Sequence, residues 1–364
     1  MTNRKFYNYY YYTQKDKSKY NKENRSINEY YYCNKHICKS KNKNFRKNNK
    51  IDFPEKNIAE TESGILDKKE LQNYVDSLLP FSFALRTEFE LTNNYYSADE
   101  EEFYLINNPI LKDKVYKFPL VRGSSWKGNF VHTAFEIIQE EVEDSEDIGN
   151  FLKNFFSFTR LFGSCSNDFR DLEKEIKKFI DKHKDSDTMN ILKELVNYAL
   201  FEMGIKLKLN TEKDKIKQVF NQVKDELKEI KTQKGRLISY PTFFDKIALK
   251  VINKHSRKTK AGESPIFYEV VPKGTNGILQ LIYIPFNSLW KTDEEIKEKV
   301  ESDLKFLAKI VRKTIEEKGI GAKQKLGWGK GKIDISEVFM KKQYHNLISL
   351  EADKCKFYEE ENDV

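Results

Sequence analysis

The order of periodic segments predicts an α+β chain built on a ferredoxin-like core. Three observations carry that prediction. Phe81, Phe83, Leu85, Thr87, Phe89 and Leu91 alternate with other residues, as a strand with one buried face requires. Two stretches, Ser124 to Val142 and Ile296 to Ile315, place apolar residues at helical spacing. Strand character returns between them and again after the second. Strand, helix, strands, helix, strand is the ferredoxin-like order.

Residues 1–70 read as a low-complexity basic extension. Within 1–50, Tyr, Asn and Lys recur in short runs, such as Tyr9 to Tyr12, and aliphatic residues are scarce. Burial there cannot offset the entropy of ordering, so a disordered tail is expected. The main domain is expected over 71–345, with ordered structure from about Leu71. Asn93 to Glu102 reads as a polar loop, and Phe103 to Leu111 as a short strand and turn around Asn107-Asn108-Pro109. Ser124 or Ser125 is suited to cap the first long helix. Trp126, Phe130, Ala134, Ile137 and Ile138 form its stripe.

Residues 147–232 are charge-rich and helical in pattern, and read as an insertion. Phe151, Phe155, Phe158 and Leu161 share one face of its first helix. Strands are expected at Arg236 to Val251, Ile266 to Val271 and Gly277 to Phe286. Ile296, Val300, Leu304, Leu307, Val311 and Ile315 stripe the second long helix, which Gly319 ends as a C-cap. A last strand follows at Lys332 to Val338. Residues 346–364 read as an acidic C-terminal tail.

The 364 residues carry a net charge of +8, unevenly placed. Fourteen Lys/Arg and three Asp/Glu fall in residues 1–50, giving +11 there and −3 over the rest. The pattern is a basic tail on a near-neutral body, and such tails bind polyanions or aid solubility. No apolar run reaches membrane-span length and no signal peptide is evident, so a cytoplasmic protein without a membrane partner is expected. Cys33, His36 and Cys38 supply at most half of a zinc site, and no second ligand pair follows. No metal or cofactor is expected.

Two segments combine glycine, basic side chains and an aromatic ring. In Arg122-Gly123-Ser124-Ser125-Trp126-Lys127-Gly128, a loop opens a helix, so unpaired N–H groups and the helix dipole favour an anion. Trp126 is placed either to stack on a base or to enter the core. In Gly319 to Gly331, five glycines in thirteen residues accompany Lys323, Lys325, Trp328 and Lys330. Glycine backbone can approach phosphates closely or make a tight connection under a sheet. The Walker pattern is absent. A basic loop with Arg257, Lys258 and Lys260 joins two strands and suits phosphate contacts or plain solvation. The expectation is that the two glycine segments converge into a cationic cradle for a ribose-phosphate strand. His132 and His255 suit acid–base chemistry but show no partner in the sequence, and Glu269 reads as a structural strand residue.

Gly321-Ala-Lys-Gln-Lys-Leu-Gly-Trp-Gly329 resembles the C-terminal glycine-rich loop of the RAMP superfamily, the repeat-associated proteins of CRISPR systems. Arg122 to Gly128 resembles the Pro-Gly-Ser-Ser-Leu-Lys-Gly element of type III subunits. Ile106-Asn-Asn-Pro-Ile-Leu-Lys-Asp113 is similar to their Ile-Asp-x-Pro-Val-x-x-Asp segment. The resemblance covers about 81–143 and 236–340. It implies an RRM-like core that grips CRISPR guide RNA through the backbone, contacts target RNA, and stacks with other RAMP subunits of an effector complex. It gives Ser124, Ser125, Lys127, Lys323, Lys325 and Lys330 to guide phosphates, with Trp126 and Trp328 stacking or wedging bases. Slicing relatives carry a metal-binding aspartate where this chain has Asn107, and an amide binds a hard cation weakly and cannot act as a base. No catalytic residue is therefore assigned. The alternatives are a metal-dependent target-RNA endoribonuclease using acidic residues in 99–113, and a metal-independent guide-processing endoribonuclease.

Overall fold

The computed structural model describes residues 50–52, 56–99, 108–114, 118–144, 148–164, 233–255, 262–286, 292–348, 350 and 355–359. The tail 1–49, the body of the expected insertion (165–232), residues 100–107 with Asn107, and the basic loop carrying Arg257, Lys258 and Lys260 lie outside the described residues.

The architecture is α+β. A five-stranded mixed sheet has the order β12–β11–β2–β10–β6, formed by β2 (Phe83–Leu91), β6 (Leu237–Ser239), β10 (Asn276–Tyr283), β11 (Gly331–Met340) and β12 (Cys355–Phe357). All neighbours are antiparallel except β11 and β12. A second sheet joins β1 (Lys50–Asp52), β8 (Lys246–His255) and β9 (Gly262–Val270). Two short pairs complete the strands: β3 (Leu120–Val121) with β7 (Thr242–Phe243), and β4 (Gly163–Ser164) with β5 (Gln233–Lys234).

The alternation in β2 sorts its side chains by face. Phe83, Leu85, Phe89 and Leu91 join the main core with three helices. These are α3 (Gly123–Asp144), α4 (Ile148–Phe162) and α5 (Asp293–Arg312). Trp126, Phe130 and Ile137 of α3, Phe158 and Leu161 of α4, and Val300, Leu304 and Leu307 of α5 meet there, all nearly or fully buried. Burying each such side chain is worth about 1.5–3 kcal/mol. Ala84 faces the other way, with Ile282 and Phe339, under Leu71 and Val75 of α2 (Lys68–Ser77).

Three departures from the sequence expectation have physical causes. Structure begins well before Leu71: β1 pairs with β8, and α1 (Lys56–Glu62) and α2 cover the second face of the main sheet. Gln280 and Arg86 hold the α1–α2 connection there through Gly64, Leu66 and their backbone atoms. Next, α4 is part of the body. Its Arg160 grips Asp303 of α5, with Nε 2.9 Å from Oδ1 and Nη2 2.6 Å from the same oxygen. Tyr283 donates to Asp303 at 2.7 Å and accepts from Arg236 at 2.9 Å, so a buried charge cluster ties α4, α5 and the sheet together. Finally, the C-terminal stretch contributes β12. Phe357 stacks on His345 and Tyr358 stacks on Phe339.

No described helix is long and apolar enough to cross a membrane.

Candidate nucleic-acid interface

The helix α3 starts at Gly123, and Trp126 N–H donates to Arg122 carbonyl at 3.0 Å. Arg122 is thus the cap position, and Ser124 and Ser125 lie in the first turn rather than capping it. A side chain at 123 would collide with the Ser239 carbonyl, so this glycine lets the helix start press on the end of β6. Arg122, Ser124, Ser125 and Lys127 are exposed. The first-turn N–H groups have no intrahelical acceptor, and this end of the helix carries the positive pole.

Trp126 takes the core alternative. Its ring is fully buried, packs against Phe89 and Phe130, and donates through Nε1 to Thr242 Oγ1 at 2.9 Å. Trp328 is also buried, edge-on to Tyr96 and Tyr268. Neither ring is placed to stack on a base; both hold their segments down.

The second glycine segment follows α5 and the π-helical turn that continues it, Lys313–Lys318, closed by Gly319 at φ +85°. The segment folds onto the loop after β2. Ala322 N–H donates to Tyr96 carbonyl at 2.8 Å, Gly329 N–H to Asn94 carbonyl at 2.7 Å, and Thr92 N–H to Lys330 carbonyl at 2.8 Å. At Gly329, φ is +75° and a Cβ would collide with the Ile320 carbonyl oxygen. Its freedom serves a tight internal connection, not a phosphate approach. Lys325 and Leu326 project from the tip and are exposed, while Lys323 and Lys330 are half-buried.

The two segments meet. Gln324 Nε2 donates to Asn129 Oδ1 at 3.3 Å and to Gly319 carbonyl at 2.9 Å. Asn129 Nδ2 in turn donates to Ser125 carbonyl at 2.7 Å. One line of hydrogen bonds therefore runs from the first turn of α3 into the glycine segment. Beside it, His132 Nδ1 lies 3.2 Å from Glu136 Oε1 and 3.1 Å from Lys318 Nζ, and Lys318 also pairs with Glu136. Sequence reasoning missed Gln324, Asn129 and the partners of His132. A neutral amide between two lysines carries no motif signal.

The Asn108–Lys112 stretch docks on the edge of β9. Glu269 N–H donates to Asn108 carbonyl at 3.0 Å, Asn108 Nδ2 to Phe267 carbonyl at 2.9 Å, and Ile110 N–H to Glu269 Oε2 at 3.2 Å. Burial pushes the Glu269 carboxyl up to about 8, and the Ile110 hydrogen bond opposes that shift. Lys112 Nζ contacts the same oxygen and favours the ionised form. Glu269 is structural, as its strand position suggested.

A family profile described as the RAMP superfamily matches residues 97–332, well over half of the chain. The chain belongs to the RAMP superfamily. No curated protein matches this RAMP chain. Among solved structures, it is similar to the cryo-EM structure of the type III-B Cmr-beta bound to cognate target RNA, at 9% identity and a TM-score of 0.39, covering 87% of this chain and 75% of that one. It is also similar to the crystal structure of Cmr6 from Pyrococcus furiosus, at 17% identity and a TM-score of 0.28, covering 70% of this chain and 99% of that one.

Proposed function

We propose that this RAMP protein is a guide-RNA-binding subunit of a type III CRISPR ribonucleoprotein, working in the cytoplasm. It grips the strand by its phosphates and lacks target-slicing activity of its own. The Ser125–Asn129–Gln324–Gly319 line of hydrogen bonds carries the reading. That line sets the positive end of α3 beside a lysine-bearing loop. Ser124, Ser125 and Lys127 stand exposed on one flank, and Lys325 on the other. Phosphate oxygens suit such a mix of hydroxyl, N–H and ammonium donors. Arg122 and Lys330 extend the cradle, and Arg257, Lys258 and Lys260 are assigned to the phosphates on sequence alone.

The strand order β11–β2–β10–β6, with α3 following β2 and α5 preceding β11, supports a ferredoxin-like core of the split βαββαβ kind. The sheet face opposite α3 and α5 is covered in part by α1 and α2, so the strand is assigned to the helix-and-loop side. Asn107, in place of the metal-binding aspartate of slicing relatives, is the basis for the non-slicing assignment. Target RNA would then be met through pairing with the guide, and other RAMP subunits would flank the chain.

The test is RNA binding against salt. Affinity of the full chain for labelled single-stranded RNA should fall as salt rises. Lys127→Ala and Lys325→Ala should each reduce the slope of log K against log salt by about 0.7. Ile335→Ser, on the sheet face, should leave it unchanged. Unaltered slopes in both lysine variants would overturn the assignment, as would Mg²⁺-dependent cutting of complementary RNA by the guide-loaded chain.

A further inference from the structure

The resemblance assigns Lys323 to the phosphates, yet its side chain is committed elsewhere. Its Nζ lies 4.5 Å from the centroid of the Tyr268 ring and 5.8 Å from that of Trp328. Tyr96, Tyr268 and Trp328 stand mutually edge-on, at interplanar angles of 84–85° and centroid separations of 5.2, 6.4 and 6.1 Å. The Tyr268 and Trp328 rings attract the ammonium, and Tyr96 packs against both to complete an aromatic cage around the site. The cage draws on three separate places: the loop after β2, strand β9 and the glycine segment. Its cation comes from the glycine segment too.

The backbone supports the same conclusion. Lys323 is one of two described non-glycine residues with positive φ, at +64°. A left-handed lysine is disfavoured and persists only where surrounding contacts fix it. The Ala322 hydrogen bond to Tyr96 and the ring contacts are such fixings. The sequence offers glycine freely in this segment, and a glycine at 323 would remove the backbone penalty. Lysine stands there instead, and its ammonium is the group that the cage uses.

We propose that Lys323 is a positioning residue. Its ammonium latches the glycine segment to the β8–β9 hairpin through the Tyr96–Tyr268–Trp328 cage and makes no phosphate contact. The latch fixes where Gln324 and Lys325 stand relative to α3, since both follow Lys323 directly in the short 3-10 turn Gln324–Leu326. The consequence for RNA binding rests on the function proposed above; the latch itself does not.

Two measurements separate the claims. The first is amide hydrogen exchange on the full-length, RNA-free protein. Lys323→Gln should speed exchange at Ala322 and at amides of β9, while Lys323→Arg should keep protection, because a guanidinium also sits over aromatic faces. Equal protection in Lys323→Gln and the unaltered chain would overturn the latch. The second is the salt series on labelled single-stranded RNA. Lys323→Gln should weaken binding about fivefold at every salt concentration, with the slope unchanged. Lys323→Arg should restore the affinity. A slope reduced as in Lys325→Ala would mean that Lys323 is an ordinary phosphate contact, and the positioning role would fail. If exchange responds as expected but neither Lys325→Ala nor Lys323→Gln affects RNA binding, the latch stands and the RNA-binding assignment falls.

Discussion

At the scale of single residues, side chains that looked alike in the sequence have separate tasks. Trp126 and Trp328 anchor their segments, Lys323 sits over rings, and Lys325 reaches solvent. The glycine-rich pattern was legible, because glycine and lysine density marks an unusual backbone whatever its purpose. Its purpose was not legible. Whether a glycine faces a ligand or a carbonyl of the same chain depends on a partner far away in sequence, here Tyr96 against Gly321 and Ser239 against Gly123. Gly329→Ala should therefore destabilise the RNA-free protein by at least about 2 kcal/mol, through the positive φ and the blocked approach to Ile320. Chemical denaturation checks this, and a neutral result would return the glycine to a ligand-facing role.

At the scale of elements, the two long helices and β2 were readable because each has a clear apolar period, and β10 and β11 because short apolar stretches follow glycines. The docking of Asn108–Lys112 on β9 was not, since its bonds are backbone contacts to a strand far along the chain. The Lys112–Glu269 pair pins that contact and gives it a pH signature. In the unaltered protein burial already lifts the carboxyl to about 8, and Lys112→Met removes a cation that favours the ionised form, so the carboxyl of the variant rises further. An unfolded chain releases that proton near 4.3, so the folded state binds it more tightly between the two values. Stability of the variant should then decline as pH rises, by about 1.4 kcal/mol per unit across that window. The unaltered protein should share that decline and level off near pH 8, where that of the variant continues. Urea midpoints followed from below pH 8 to above it measure both, and profiles that level off together would argue against the pairing.

For the molecule as a whole, the order of strands and helices followed from pattern, while the limits of the body did not. The α1–α2 region adheres through backbone acceptors and a few apolar contacts, which composition averages hide. Likewise α4 read as the start of an insertion, because Arg160 looks like one more surface charge until Asp303 is placed beneath it. Asp303→Ala should cost about 3–5 kcal/mol, because two buried guanidinium groups lose their counter-charge. A loss well below that, by calorimetry or denaturant, would make α4 peripheral. Just beyond α4, Gly163 pairs with Lys234 and Ser164 with Gln233. The chain thus departs and comes back through one narrow doorway, a gap that a tight two-residue turn is able to close. A segment that leaves and re-enters at paired residues can be shortened without re-threading the strands of the main sheet.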